Sequence, residues 1–509
     1  MCRALLSLLL AVISLGAHGA EPVKREMRGA WVATIYGLDW PSMNGTDAAT
    51  ATAQRRAMTE MLDRLQTAGF NAVMFQVRTF CDAMYRSKLE PWAAALTGKR
   101  GAAPADDWDP LAFCIAECHR RGMECHAWVN PFRYSSSATP YTDSFDSKMR
   151  PMLITYTTRP KNKREKARTT AILDPGNPKA REHVVNVCRD IVTRYDIDGL
   201  IFDDYFYPDR LPLGSGYDFN EWKKSGTKLS QADWRRNNVN LTVSAVSDMI
   251  KEVKPHVAFG ISPAGVGGGN GVAASRYGLE PCHGNDWMYD RIYCDPLAWL
   301  ANGDVDYVSP QIYWNRDHKT NPYGPIATWW SSVADHFGRH FYASHSLSSF
   351  ANKGGDTPDA WRERGAQIDI NRQQAASSTP GSIHYAARNI NHFGNHLAAN
   401  QYATPALPPA YDWKTSPDPG PVTHLSRKNN HLTWQPVDKL CRYAVYAIPT
   451  DIDDLDAMSV NYGGYNAQYL LGLTYDPSFA IPDNKLKGYR YAVTPVDRNG
   501  HEWEAAITR

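Results

Sequence analysis

Eight short β-rich runs alternating with amphipathic stretches constrain this chain more than any other feature. The runs are "RGAWVATI" (28–35), "NAVMFQVR" (71–78), "ECHAWVNPFR" (124–133), "IDGLIFDDYF" (197–206), "VAFGISPAG" (257–265), "VDYVSPQIYW" (305–314), "HFYASHSL" (340–347) and "SIHYAARNI" (382–390). Between them 53–68, 110–121, 178–195, 233–254, 325–337 and 358–375 carry apolar residues at helical spacing. Alternation of this kind builds a parallel α/β architecture. Eight repeats favour a closed (β/α)8 barrel over an open doubly wound sheet. No GxGxxG follows the first run and no GxxxxGK[ST] occurs, which argues against a nucleotide-binding sheet. "GVGGGNG" (265–271) lacks the Lys-Ser/Thr that would follow a phosphate loop and reads as flexible.

Composition changes at 404. "TPALPPAYDWKTSPDPGP" (404–421) is proline-rich and predicts a stiff extended linker. Beyond it lie β-rich runs with turn residues between them, including the hairpin signal Asn499-Gly500. The expected organisation is a leader at 1–20, a barrel at 26–403, the linker at 404–421 and a β-sandwich of fibronectin type III-like pattern at 422–509.

The leader has Arg3, an apolar run at 5–15 and small residues at 16–20, a secretory signal cleaved after Gly19 or Ala20. Cys2 precedes the apolar run, so no lipid-acceptor cysteine follows it, and an exported, periplasmic or secreted protein is expected. No later run approaches the roughly 18 apolar residues of a membrane span. Lys and Arg number 55 against 53 Asp and Glu, with no long basic stripe, which speaks against nucleic acid as a partner. The one basic run, "KNKREKAR" (161–168), reads as a solvated loop rather than an anion site. Eight cysteines follow the leader. Cys282 and Cys294 flank one loop and are a possible pair, whereas Cys114 and Cys118 share one helix face and read as apolar rather than metal-ligating. No cofactor or metal is expected.

In a barrel the active site gathers at the C-terminal strand ends. Here those ends carry Trp31, Gln76, Arg78, nearby Asp82, Asn130, Arg133, Asp203, Asp204, Ser262, Gln311, Tyr313, His345 and Tyr385. Burying such groups unpaired costs several kcal/mol at the high end, about 2–7. The sharpest pattern is "DGLIFDDYFYP" (198–208), which ends a buried strand on two adjacent acids. Successive strand residues face opposite ways, so if Asp203 follows Ile201 inward, Asp204 joins it only where the strand has opened. Neighbouring carboxylates raise one pKa, which suits a general acid beside an ionised partner. The alternative is structural: Asp198 caps a turn and Asp203 pairs with Arg78 or Arg133. Aromatics after strands three to five (Tyr134, Tyr141, Tyr205, Tyr207, Trp222, Trp287, Tyr289), with Trp31, Trp40, Trp92 and Trp314, are candidate platforms for sugar rings. Export, strand-end carboxylates, aromatics and no cofactor motif describe carboxylate chemistry on glycosidic bonds.

"RGAWVAT", "NAVMFQVR", "DAMYRSKLEPW", "HAWVNPFR", "LDPGNP", "DGLIFDDYFYP", "FGISPAG" and "DYVSPQIYW" occur in that order, and over about 26–400 the chain resembles the glycosyl-hydrolase-like family 10. The resemblance implies an exported bacterial barrel, often with a β-sandwich, acting on β-1,4 bonds between N-acetylated sugars in peptidoglycan strands stripped of their peptides. It implies Asp203 and Asp204 as the acidic motif, with Gln76, Arg78, Asn130, Arg133, Gln311 and Tyr313 in the cleft. Thr79-Phe80-Cys81 departs from a more familiar Pro-x-Gly before Asp82, and Ala264 stands where bulkier residues are common. The acidic motif is also loosely similar to DGxDxDxE of the family 18 chitinases, with Tyr205 at the place of the last Glu. The resulting expectation is a glycoside hydrolase with Asp203 and Asp204 catalytic and Trp31, Gln76, Arg78, Asp82, Asn130, Arg133, Tyr205, Gln311, Tyr313, Trp314 and Tyr385 binding a polysaccharide. The alternatives are a carbohydrate-binding or scaffold barrel without chemistry and a glycosidase for another polysaccharide.

Overall fold

The computed structural model describes residues 21–136, 144–157, 166–209, 211–266, 271–284, 287–347, 356–374, 380–437, 441–460 and 462–508. The leader, Tyr141, most of the basic run and the centre of the Gly-rich loop lie outside the described residues. Nine strand segments form one parallel sheet: β1 (Met27–Val32), β2 (Ala72–Arg78), β3 (Glu124–Val129), β4 (Gly199–Phe202), β5 (Ala258–Ile261), β6 (Tyr307–Val308), β7 (His340–Phe341), β8 (Ala343–Ser346) and β9 (Gly381–Tyr385). The hydrogen-bonded order is β7-β6-β5-β4-β3-β2-β1-β9-β8. Its two end segments, β7 and β8, are one stretch of chain interrupted at Tyr342. The Tyr342 N–H donates to Val308 O and the Ser344 N–H to Pro310 O, both at 3.0 Å, so this stretch bonds to both neighbours and nearly closes the ring. Nine segments thus make a barrel consistent with (β/α)8.

Helices flank the ring at Ala48–Thr67, Pro110–Arg120, Pro178–Arg194, Gln231–Val253, Tyr323–Phe337 and Pro358–Gln374, each within a few residues of its expected span except the first, which begins five earlier. Local chemistry sets the starts: Asp47, Asp109, Asn177 and Ser230 each accept a backbone N–H of the first turn, and a proline follows Asp109 and Asn177.

Alternation decides what enters the barrel. Met27 and Trp31 of β1, Ala72 and Met74 of β2, Trp128 of β3, Ile201 of β4, Ala258 of β5, Tyr307 of β6 and Ile383 of β9 form a cluster distinct from the strand-to-helix core. Glycines make room for large rings there. A Cβ on Gly199 would stand 2.2 Å from the His126 ring, and one on Gly260 would stand 2.1 Å from the Tyr307 ring.

Two additions complete the molecule. After β3 an antiparallel three-stranded sheet (Arg133–Ser135, Leu153–Thr157, Thr169–Leu173) rises over the C-terminal end of the barrel. The C-terminal segment is built of antiparallel sheets, one ordered Thr423–Lys428, His431–Gln435, Ser478–Ala480 and one ordered Leu470–Thr474, Arg442–Pro449, Tyr489–Val496, Ala506–Ile507. Asn499-Gly500 sits in the turn after Tyr489–Val496, with the Gly500 N–H on Asp497 O at 3.0 Å.

This segment packs on the barrel's N-terminal face. Arg442 pairs with Glu124 at 2.5 Å, Arg498 with Asp198 at 3.1 Å, and Tyr475 stacks 3.9 Å from His119 while donating to Asp198 at 2.9 Å. The proline-rich stretch follows the same face. The Leu407 N–H bonds Lys24 O at 2.8 Å, Trp413 Nε1 donates to Asp306 at 2.8 Å, and Leu407 and Tyr411 are buried. Among the described residues no helix is long and apolar enough to cross a membrane.

Candidate active site

A cavity of about 250 Å³ opens at the C-terminal ends of the strands, the face opposite the C-terminal segment. Period two supplies its floor: Trp31, Gln76, Trp128, Asp203, Ser262, Gln311 and Tyr385 each continue the inward set of their strand. Arg133, Tyr205, Tyr313, Ile35, Tyr36 and Leu38 form the rim. Aromatic edges support this floor. Trp31 and Trp128 meet edge to face at 4.9 Å, and Trp31 Nε1 donates to Ser344 Oγ at 2.9 Å. Tyr313 and Tyr385 stack at 6.4 Å.

Asp203 stands at the end of a chain of amides. Gln76 Oε1 accepts the N–H groups of Thr34 and Ile35, both at 2.9 Å, and its Nε2 donates to Asn130 Oδ1 at 2.7 Å. Asn130 Nδ2 then donates to Asp203 Oδ2, which also accepts Trp128 Nε1 at 3.3 Å. The other oxygen accepts the Tyr205 N–H at 3.3 Å. Burial raises the Asp203 pKa, and Arg133 with these donors works against the rise.

Asp204 has a different surrounding. β4 ends at Phe202, so both acids lie past the strand, and Asp204 turns toward Gln311 rather than into the cavity lining. Its Oδ1 is buried with no hydrogen-bond partner among the described residues. Burial, and then the charge of Asp203, push its pKa up to about 7. The negative charge of Asp204 in turn lifts neighbouring Tyr205 to about 12.

Of the residues expected in the cleft, the structure brings Trp31, Gln76, Arg133, Asp203, Tyr205, Gln311, Tyr313 and Tyr385 to the cavity, with Asn130 and Asp204 directly behind it. Three are not brought there. Arg78 is buried and saturated: Glu90 takes it bidentately at 2.8 and 2.7 Å, and Asn130 O, Pro131 O and Cys81 Sγ take the rest at 2.5, 3.0 and 2.9 Å. It pairs with neither catalytic candidate. Asp82 accepts the Phe80 N–H at 2.9 Å and shapes the β2 loop, and Trp314 packs outward against His318. Four of the expected sugar platforms are core: Trp40, Tyr134, Tyr207 and Tyr289 are buried, with Trp40 Nε1 on Gln54 O at 3.0 Å and Tyr134 OH on Asp146 at 2.6 Å. His345 is held by Gln367 and Ser382, both at 3.0 Å, outside the cavity. Asp198 lies at the opposite end, on Arg498 and His119 rather than in a turn cap.

Trp128, Ile35, Tyr36 and Leu38 were not among the expected residues. Trp128 was legible as the position two before Asn130 on an inward-outward strand, and Ile35–Leu38 as the first strand-to-helix loop. Away from the site, Cys125 of β3 joins Cys114 and Cys118, and the three buried thiols lie within 4.8 Å of one another, the one group of this kind among the described residues.

The sequence-family description "Glycosyl hydrolase-like 10" matches residues 26–351. Glycosyl hydrolase YngK of Bacillus subtilis is 30% identical over 99% of this chain and 97% of its own length. Glycosyl hydrolase DigH of Escherichia coli K12 is 36% identical over 68% of this chain and 79% of its own. Among solved structures the PgaB glycoside hydrolase domain of Bordetella bronchiseptica aligns at TM-score 0.49 and 13% identity, over 73% of this chain and 98% of that domain.

Proposed function

The chain belongs to the glycosyl hydrolase-like 10 family and is a glycoside hydrolase acting on a polysaccharide; from that premise we propose that it cleaves an N-acetylated glycan, peptidoglycan strands without stem peptides in the first place, with Asp203 and Asp204 as its catalytic carboxyls. The observation that carries the roles is the asymmetry of the pair. Asp203 lines the cavity and receives three donors, which suits a carboxylate that stays ionised and faces the positive charge developing at the anomeric carbon. Asp204 has an oxygen with no donor among the described residues and a pKa near 7, which suits a group that holds a proton; it gives that proton to the departing glycosidic oxygen once its side chain turns from Gln311 into the cavity over bound glycan. Trp31, Trp128, Tyr205, Tyr313 and Tyr385 supply faces and edges for sugar rings; Gln76 and Asn130 orient Asp203.

Residues 1–20 are read as an export signal, 26–403 as the barrel unit, 404–421 as the join and 422–509 as a fibronectin type III-like sandwich. Its seat on the barrel floor, away from the cavity, supports a bracing role for that unit.

The test is mass spectrometry of products after the protein, and separately Asp204→Asn, meets peptide-free peptidoglycan strands, intact peptidoglycan, chitin oligomers and plant glucans. New reducing ends from N-acetylated strands, absent with the variant, support the reading. Full turnover by Asp204→Asn removes the acid assignment, and silence on every N-acetylated polymer removes the substrate.

A further inference from the structure

The loop from β1 to the first helix holds a strained residue at the edge of the cavity. Tyr36 has φ 53° and ψ 21°, in the left-handed region, where a bulky side chain is a true outlier. Gly37 follows at φ 64°, so the turn takes left-handed backbone twice and only its second position uses glycine. Two other tyrosines share this conformation, and their rings serve the protein's own packing. Tyr293 is buried and accepts from Arg235 at 2.9 Å, and Tyr217 meets Tyr156 edge to face at 5.6 Å. Tyr36 instead is 68% exposed.

Neighbours hold the strain from both sides. Gln76 Oε1 accepts the N–H groups of Thr34 and Ile35, and the Gly37 N–H returns to Thr34 O, all at 2.9 Å. The fully buried carboxylate of Asp39 accepts the N–H of Ala33 at 2.7 Å and that of Arg388 at 3.0 Å, tying the loop to the segment after β9. Strain of this kind persists only where the surroundings over-determine it, and it clusters at ligand clamps. Glycine at 36 would make the same turn at ease, so the turn is built to present the ring.

The ring stands where a glycan would leave the acids. Tyr36 lines the cavity over Asp203 and also a second lobe of about 560 Å³, within the roughly 300–1,000 Å³ of ligand clefts. Tyr36 lies 5.9 Å from Phe80, Phe80 lies 5.7 Å from Arg133, and Arg133 lies 4.0 Å from Tyr205, so flat groups follow one another along this boundary. The Tyr36 hydroxyl meets Ser136 Oγ at 2.7 Å, which fixes the far end of the ring. Gln76, which holds the loop, also donates to Asn130, and Asn130 donates to Asp203, so one amide sets the ring's place relative to that carboxyl.

From the held left-handed backbone, the exposed ring and its position on the boundary of the two lobes, we infer that Tyr36 is a sugar-stacking residue that grips the pyranose next to the one lying over Asp203 and sets a preference for longer glycans. The inference rests on the glycan reading of the acids and adds a second sugar to it. The ring offers an apolar face to the C–H side of a pyranose, and its hydroxyl both donates and accepts.

The experiment compares wild type, Tyr36→Phe, Tyr36→Ala and Tyr36→Gly on the disaccharide and hexasaccharide of peptide-free peptidoglycan and on chitin oligomers of the same lengths. Steady-state kinetics is measured on each, calorimetric affinity on the Asp204→Asn background, and melting curves on every variant. We expect Tyr36→Ala and Tyr36→Gly to lose about tenfold in kcat/KM on a hexasaccharide, carried by KM, as one well-formed aromatic contact provides, and less on the disaccharide. Tyr36→Phe should keep most of the affinity, because the ring remains. Tyr36→Gly should melt above Tyr36→Ala by about 1–3 °C, since glycine accepts the left-handed backbone and alanine does not. An equal loss on both lengths overturns the inference, as does unchanged kinetics with a lowered melting temperature, the mark of a purely structural ring. Tyr36→Gly melting no higher than Tyr36→Ala overturns it too, because the backbone then holds no strain. If the wild type cuts no oligomer, the hydrolysis reading falls and calorimetry still decides the residue. Weakening by Tyr36→Ala that grows with length sustains the stacking role; unchanged affinity overturns it, as does failure of both hexasaccharides to bind with Tyr36 in place.

Discussion

Two adjacent aspartates with different neighbours give this site its chemistry, and the difference is titratable. If Asp204 donates the proton, kcat/KM declines above about pH 7 as that group ionises. Asp204→Asn should cost 10²–10⁴-fold, roughly the usual worth of a positioned acid, and erase the alkaline limb of the profile. The same group makes a stability prediction of opposite appearance. Its folded pKa lies above its unfolded value near 3.9, so folding retains a proton that the unfolded chain releases. The associated stability is full below about pH 4 and is lost as pH rises to about 7. Asp204→Asn should therefore melt at a higher temperature than wild type at pH 8, by about 1–3 °C, with the difference vanishing near pH 4; a pH series of melting curves checks it. Behind the pair, Asn130→Ala removes one donor to Asp203 and breaks the Gln76 relay. It should lower kcat by roughly 10²-fold with little change in KM, the signature of a misplaced group. Adjacent acids at a strand end were legible in the sequence, and so was Asp203 facing inward, because alternation is local. The saturation of Arg78 by Glu90 was not, since Glu90 comes from the loop after β2 and only the folded loop brings it back.

At the scale of elements, caps and periodicity fix where helices start, and the six helices anticipated from sequence stand close to their expected bounds. Strands are shorter than their apolar runs: 305–314 yields only Tyr307–Val308 in regular pairing, and past it Gln311 and Tyr313 serve the cavity. The inserted sheet escaped the reading because its strands, 3–5 residues each, pair antiparallel across segments far apart in sequence. Inside the barrel the tightest element-level constraint is room. A methyl at Gly199 meets the His126 ring at 2.2 Å, and that ring bonds both Tyr307 and Glu124. Gly199→Ala should destabilise by about 1–3 kcal/mol or more, the range for overpacking, measured by urea unfolding. A neutral result would mean that His126 swings aside without loss.

For the whole molecule, the decisive feature is the clamp of buried ion pairs between the barrel floor and the C-terminal sheets. Arg442 and Glu124 are both buried, and removing one partner strands the other. Arg442→Ala should cost about 3–5 kcal/mol, while joint replacement of Arg442 and Glu124 by apolar residues of similar volume should recover most of it; denaturant unfolding of the single and double variants checks both. Activity per folded molecule should stay near wild type, because the clamp lies at the end of the barrel away from the acids. What the sequence determined by itself were the properties set over a few residues: strand–helix alternation and hence the barrel class, helix starts, the turn at Asn499-Gly500, and an acidic strand end that faces inward. Only the tertiary structure decided which polar groups meet. It answered Arg78 with Glu90 and set Arg133 beside Tyr205 and the acids, separated the surroundings of Asp203 and Asp204, turned Tyr134, Tyr207 and Tyr289 into core, and seated a proline-rich segment on the floor. Pairing of charges and burial of rings depend on residues tens to hundreds of positions apart, and no local pattern encodes their distance.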